Sequence, residues 1–320
     1  MKYRRLGASG LKVSEISLGS WLTYGGYVHD RQAEATLDKA YELGINFFDT
    51  ANVYRAGEAE KVVGRALAKY PRSTCVLATK VRGPMGDRPN QEGLSRKHIM
   101  EQCEASLRRL GTDYIDVYYC HYPDDDTSLE ETMRAMNDLV QQGKVLYIGV
   151  SNMNIQRLNE AIEVTTRNGW HPIVANQPLY NLFADEIEKE IIPACRRNGI
   201  GQVVYSPLAQ GVLTGKYNTV DPAGLQCRAS DEEGSQAVRH WLKESYVEKA
   251  RRLQALADSF GVALSQLALA WVLRQDNVSS AIVGASRPEQ VEENCRASGI
   301  RLEADAWELV RQALLEWSEV

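Results

Sequence analysis

The sequence predicts an α/β fold, a (β/α)8 TIM barrel, as a single domain over residues 1–320. Three observations carry that prediction. Eight short apolar runs recur along the chain, helix-like stretches separate them, and the runs are apolar throughout rather than alternating. Parallel strands covered on both faces have that character. A doubly wound open sheet would share the alternation, but eight evenly spaced repeats favour closure into a barrel. Length alone allows two domains at roughly 150 residues each, yet α/β barrels exceed that as one unit. No linker, low-complexity tract or charge run marks a second domain.

In chain order the expected strands are "ISLG" (16–19), "NFFD" (46–49), "CVLATK" (75–80) and "IDVYYCH" (115–121). "LYIGVS" (146–151), "IVANQ" (173–177), "QVVYS" (202–206) and "SAIVG" (280–284) complete the set. Amphipathic stretches over 31–44, 58–70, 95–111, 128–144 and 184–199 predict helices between them. Ser95 suits the N-cap of the third, which stops at Gly111. The long polar segment 216–245 is expected to be a βα loop over the active face, either a lid or cofactor clamp or a plain surface insertion.

Composition narrows the function classes. A net charge of −5 gives no global field for nucleic acid or an anionic membrane. No apolar run approaches the roughly 20 residues that span a bilayer, so membrane insertion is not expected. No apolar stretch follows the basic N-terminus as in a secretory signal. The six cysteines are scattered without a CxxC pair, which points to reduced thiols and a cytoplasmic location.

If the fold is a barrel, chemistry sits where strands finish. Asp49, Lys80, His121, Ser151 with Asn152, Gln177, and Tyr205 with Ser206 all stand at such ends, and Tyr54 lies one short turn past the second. Singly, each has a structural explanation: Asp49 capping a helix, Lys80 snorkelling, His121 satisfied in the core. Together they form an expensive way to stabilise a fold, because buried charges cost free energy unless paired. Their chemistry is mutually consistent. A lysine beside a phenol is expected to lower its pKa and ease proton donation to a developing alkoxide, with a carboxylate orienting the lysine. An imidazole can bond the carbonyl oxygen or relay protons. With no nucleophile among these groups, carbonyl reduction would draw hydride from a cofactor. "HYPDDD" (121–126) could suggest a metal, but the remaining histidines lack ligand spacing. The three aspartates are instead expected to cap the helix near Ser128.

On these residues the sequence resembles the aldo-keto reductase family. "GINFFDTANVY", "VLATK" and "VYYCH" match its signature segments, and the likeness runs over nearly the whole chain. The resemblance implies a catalytic tetrad of Asp49, Tyr54, Lys80 and His121, and NADPH held by the barrel itself. The absence of a GxGxxG motif after any strand is consistent with that. It also implies that Ser151, Asn152 and Gln177 hold the nicotinamide carboxamide and that Tyr205 stacks on its ring. Ser20, Trp21, Ser206, Leu208, Gly211 and Lys216 would complete the nicotinamide and pyrophosphate side. From "GASRPEQVEEN", Gly284, Ser286, Gln290, Glu293 and Asn294 would clamp the adenine and 2′-phosphate, with Arg228 and Arg287 as candidates for the extra phosphate.

Within the family, "GSWLTYGG", "VYRAGEAEKVVG", "GLSRKHI" and "SPLAQGVLTGKY" resemble the branch of voltage-gated potassium channel β-subunits. This implies a possible homo-oligomer and an alternative role as a cofactor-sensing accessory subunit of a membrane channel. Against that role, His121 and Asn152 follow the ordinary enzymes, where the channel subunits carry Asn and Arg. The substrate would be a small carbonyl compound. Pocket candidates are Trp21, Tyr24, Tyr27, Arg55, Tyr122 and Trp241, an aromatic lining suited to apolar aldehydes and ketones. Trp21 and Tyr24 could equally be packing residues. Arg55 could recognise an anionic substituent or pair with Glu58 or Glu60.

Overall fold

A computed structural model of the chain describes residues 1–217 and 232–315, except for the side chains of Tyr27 and residues 232–234. Eight parallel strands close into a barrel: β3 (Ile16–Gly19), β4 (Phe47–Asp49), β5 (Val76–Val81), β6 (Ile115–Cys120), β7 (Val145–Ser151), β8 (Ile173–Gln177), β9 (Gly201–Val204) and β10 (Val278–Gly284). β10 closes the ring by pairing with both β9 and β3. All eight expected runs are barrel strands. In "QVVYS" the regular strand ends at Val204, Tyr205 adds one isolated bridge to Leu179, and Ser206 stands beyond the sheet.

The short hairpin of β1 (Tyr3–Arg5) and β2 (Lys12–Ser14) was not foreseen from the sequence. It plugs the N-terminal end of the barrel. Leu6 and Val13 cluster there with Phe47, Val76, Val117, Val174 and Val203 from inside the ring. Gly7 takes φ 58 where the hairpin meets Gly199 and Gly201, and a side chain there would overlap their backbone.

The two-residue period of a strand sends alternate side chains into the barrel and out to the helices. On β5, Val76 and Ala78 point in and Lys80 follows at the top. On β6, Val117 and Tyr119 point in and His121 follows. Phe47 and then Asp49 do the same on β4. The apolar lower layers therefore end in a layer of ionisable groups at the C-terminal mouth.

The outward residues pack under the helices in a second, larger core. α3 (Arg96–Leu110) is capped by Ser95, whose side chain accepts from the His98 N–H, and it stops at Gly111 in the left-handed conformation. Thr79 on the outer face of β5 donates to Glu60 of α2 (Glu58–Leu67) at 2.6 Å, and Arg109 of α3 donates to the same carboxylate at 2.5 Å. The expected helix over 184–199 is a turn at Glu186–Glu188 followed by α6 (Ile191–Arg197). Pro193 falls in its first turn, where the missing N–H has no intrahelical partner.

Of the segment 216–245, residues 218–231 lie outside the described residues, and Arg228 with them. The remainder begins α7 (Glu232–Arg239). The proposed capping by the three aspartates is corrected. Ser128 caps α4 (Leu129–Gln141), while Asp124 accepts from the Leu94 N–H at 2.6 Å and from Thr127 at 2.8 Å, tying two βα loops together. Among the described residues no single helix is long and apolar enough to cross a membrane.

Candidate active site

Asp49, Lys80 and Tyr54 meet at the barrel mouth. Lys80 is fully buried and Asp49 is 3% exposed. The Lys80 ammonium donates to Asp49 Oδ1, to the Thr50 carbonyl at 2.8 Å and to the Tyr54 hydroxyl at 3.2 Å. Its three protons thus have three acceptors. The other Asp49 oxygen accepts from Gln177 Nε2 at 2.9 Å. Burial pushes the Asp49 carboxyl up and the Lys80 ammonium down, and each charge offsets the penalty on the other.

Tyr54 is delivered by the turn after β4. The following residues, Arg55 at φ 50 and Ala56 at φ 51, are both left-handed. Two adjacent non-glycine residues in that region cost on the order of 1–3 kcal/mol each, a strain that clusters at functional sites. The expectation that Lys80 lowers the Tyr54 pKa is corrected. Burial first, then the Asp49 charge, hold the phenol well above its ordinary value. The ammonium charge is engaged by Asp49 and does not offset the burial of the phenol.

The His121 ring lies edge-on to Tyr54, with centroids 5.6 Å apart, and stacks on Tyr122 at 4.7 Å. Its Nδ1 is buried without a hydrogen-bond partner. Burial, with Lys80 and Arg82 nearby, pushes its pKa down to about 2, so the imidazole is neutral. Beside it runs a polar chain. Tyr205 donates to Asn152 Oδ1 at 2.8 Å, Asn152 Nδ2 donates to Ser151 Oγ at 2.9 Å, and Ser151 Oγ donates to the Gln177 carbonyl at 2.7 Å. Asn152 holds φ 56 where it makes these contacts, and Ser206, next to Tyr205, holds φ 53.

These groups open into one cavity of about 1120 Å³. Its wall includes Trp21, Asp49, Tyr54, Arg55, His121 and Tyr122 at one end. Ser151, Asn152, Gln177, Tyr205, Ser206, Leu208, Gly211 and Lys216 follow. Gly284, Ser286, Arg287, Gln290, Glu293 and Asn294 line the far end. There α10 (Pro288–Cys295) starts with a proline in its first turn and no side-chain cap, and Gln290 Oε1 accepts from the Ser286 N–H at 2.8 Å.

Several sequence assignments do not reach this wall. Tyr24 is buried, with its hydroxyl on the Ala285 carbonyl at 3.1 Å, so it packs the barrel mouth and does not line the pocket. Trp241 is buried against Phe183 and Tyr246 and is likewise not lining. Ser20 sits behind the wall, with a buried hydroxyl that has no partner. Lys80 lies beneath Asp49 and Tyr54. Arg228 and the Tyr27 side chain are outside the described residues. The sequence reading missed Leu22, Val53, Gln210 and Thr214, which also line the cavity. Gln210 reaches it through φ 56, a backbone turn with no signature in the surrounding residues.

The sequence model of the Aldo/keto reductase family matches residues 15–315. The chain belongs to that family. Its general activity is accordingly that of an oxidoreductase. A protein of Arabidopsis thaliana named "Probable voltage-gated potassium channel subunit beta" is 42% identical over 300 residues, covering 93% of this chain and 91% of that protein. A protein of the same name from Oryza sativa subsp. japonica is 42% identical over 301 residues, again covering 93% and 91%. This aldo/keto reductase is thus similar over almost its full length to proteins named as channel subunits.

Proposed function

We propose that this aldo/keto reductase is an NADPH-dependent carbonyl reductase in which Tyr54 is the general acid. The observation that carries the reading is the Tyr54 hydroxyl held by Lys80 at 3.2 Å at the wall of the large cavity, with Asp49 fixing Lys80 from behind.

The cavity suits a dinucleotide together with a small substrate, because its volume exceeds the usual 300–1,000 Å³ or so of a drug-sized site. Its donor set fits as well. Ser151, Asn152 and Gln177 offer amide and hydroxyl groups for a carboxamide, Tyr205 offers a ring face, and Lys216 stands against Gly211 beside a run of left-handed backbone. Arg287 and the open start of α10 supply positive potential at the far end. NADPH held by these residues would supply the two electrons of the reduction as hydride. Tyr54 gives its proton to the carbonyl oxygen, and the neutral His121 offers an N–H to the same oxygen. Lys80 and Asp49 position the phenol. The same groups permit the reverse oxidation.

The named relatives support a second reading, a cofactor-binding accessory subunit of a channel with slow chemistry. His121 beside Tyr54 favours the enzyme. The test is NADPH binding by fluorescence titration combined with NADPH oxidation over a panel of aromatic aldehydes. Turnover supports the reductase. Tight NADPH binding with no turnover supports the subunit.

A further inference from the structure

Glu60 is a buried acid that the proposed chemistry does not use. It sits in the first turn of α2, and its side chain is fully buried. Both of its oxygens are engaged. Thr79 Oγ1 donates to Oε1 at 2.6 Å, and Arg109 Nε donates to Oε2 at 2.5 Å. Loss of either donor would leave a desolvated charge short of a partner, so the pair of bonds holds the carboxylate in one orientation. None of the three residues lines the cavity.

Each donor is joined to one half of the Lys80–Tyr54 contact. Thr79 immediately precedes Lys80 on β5, and alternate residues of a strand face opposite sides. The Thr79 hydroxyl therefore fixes the outer face of the strand while Lys80 reaches the site from the inner one. Arg109 lies against Gly57, where the chain turns at φ 93 and a Cβ would come within 2.6 Å of the arginine Cδ. Gly57 closes the turn that opens with Tyr54 and passes through the left-handed Arg55 and Ala56. Strain of that kind persists only where the surroundings over-determine the backbone. Arg109 is such a surrounding, since it also donates to Ser106 Oγ at 3.2 Å. The Glu60 charge is felt at Lys80 as well. Burial lowers the ammonium pKa, while Asp49 first and Glu60 after it raise it.

We propose that Glu60 is a positioning residue for the reduction, setting Lys80 against the Tyr54 hydroxyl through Thr79 on one side and Arg109 with Gly57 on the other. This rests on the carbonyl-reductase reading above. At 3.2 Å the Lys80–Tyr54 hydrogen bond is at the long end of the usual range, so a small shift of either element weakens it. A misplacement of about 1 Å can cost on the order of 10²-fold in rate.

The test is the single-turnover rate of 4-nitrobenzaldehyde reduction by the full-length protein with NADPH, alongside NADPH affinity by fluorescence titration. In Glu60→Gln the amide nitrogen must face one of the two donors, and the rate is expected to fall about tenfold with affinity nearly unchanged. Thr79→Val removes one tie and should lose a similar factor, and Thr79→Ser, which keeps the hydroxyl, should recover most of the rate. A cycle with Tyr54→Phe separates positioning from packing. Once the phenol hydroxyl is gone, Glu60→Gln should slow the residual reduction by less than about twofold. A parental rate in either Glu60→Gln or Thr79→Val, or a tenfold loss that persists beside Tyr54→Phe, overturns the inference and leaves the reductase reading standing. No turnover by the parent, with NADPH bound, overturns both. Should Glu60→Gln fold poorly or Tyr54→Phe be too slow to time, Thr79→Val and Thr79→Ser decide: equal rates refute the proposal.

Discussion

Lys80 Nζ stands 3.2 Å from the Tyr54 hydroxyl and donates to it, although Lys80 lies on β5 and Tyr54 in the turn after β4, 26 positions apart. The same ammonium is held by Asp49 and the Thr50 carbonyl. The position of the phenol therefore depends on a buried ion pair, and its acidity on how that pair divides its charge.

Removing one partner should expose the cost of the other. Asp49→Ala leaves Lys80 fully buried without its counter-charge, and urea unfolding is expected to show a loss of about 3–5 kcal/mol. Asp49→Ala combined with Lys80→Met should lose much less than the two single variants together, since no unpaired charge remains. Additive losses in that cycle would show that the two groups do not interact.

The pH dependence has a definite sign. Burial and Asp49 hold the Tyr54 proton on well above the ordinary phenol range, and His121, with a pKa pushed to about 2, stays neutral. Reduction needs the protonated phenol, so the rate is retained below the folded pKa and lost as pH rises through it. A single-turnover reduction rate should be flat from about pH 6 to about pH 9 and fall only above the ordinary tyrosine value of about 10. A limb centred near neutrality would mean that another group donates the proton.

Packing beneath the site is tight at Gly149 on β7, where an added Cβ would overlap the Tyr119 ring inside the barrel. Gly149→Ala is expected to cost about 1–3 kcal/mol in thermal or urea unfolding. A neutral effect would indicate a looser barrel interior than described.

The strands were legible because parallel barrel strands are apolar on both faces and bounded by polar residues. "CVLATK" and "IDVYYCH" show this best, each ending in the residue that reaches the site. The hairpin at Tyr3–Arg5 and Lys12–Ser14 escaped because three-residue strands rich in charge carry no periodic signal. Tyr24 and Trp241 were placed in the pocket because a sequence does not reveal which way an aromatic side chain turns within a loop. Asp49 with Lys80 was readable as a pair. The effect of that pair on Tyr54 was not, since it depends on burial and on how far Asp49 absorbs the ammonium charge.

If Tyr54 delivers the proton, its loss should stop reduction without loosening the cofactor. NADPH oxidation with a reactive aromatic aldehyde should be compared between the parent and Tyr54→Phe, alongside NADPH affinity by fluorescence titration. The expected outcome is a fall in kcat of at least about 10²-fold with affinity nearly unchanged. A Tyr54→Phe variant that reduces the aldehyde at close to the parental rate would contradict the account.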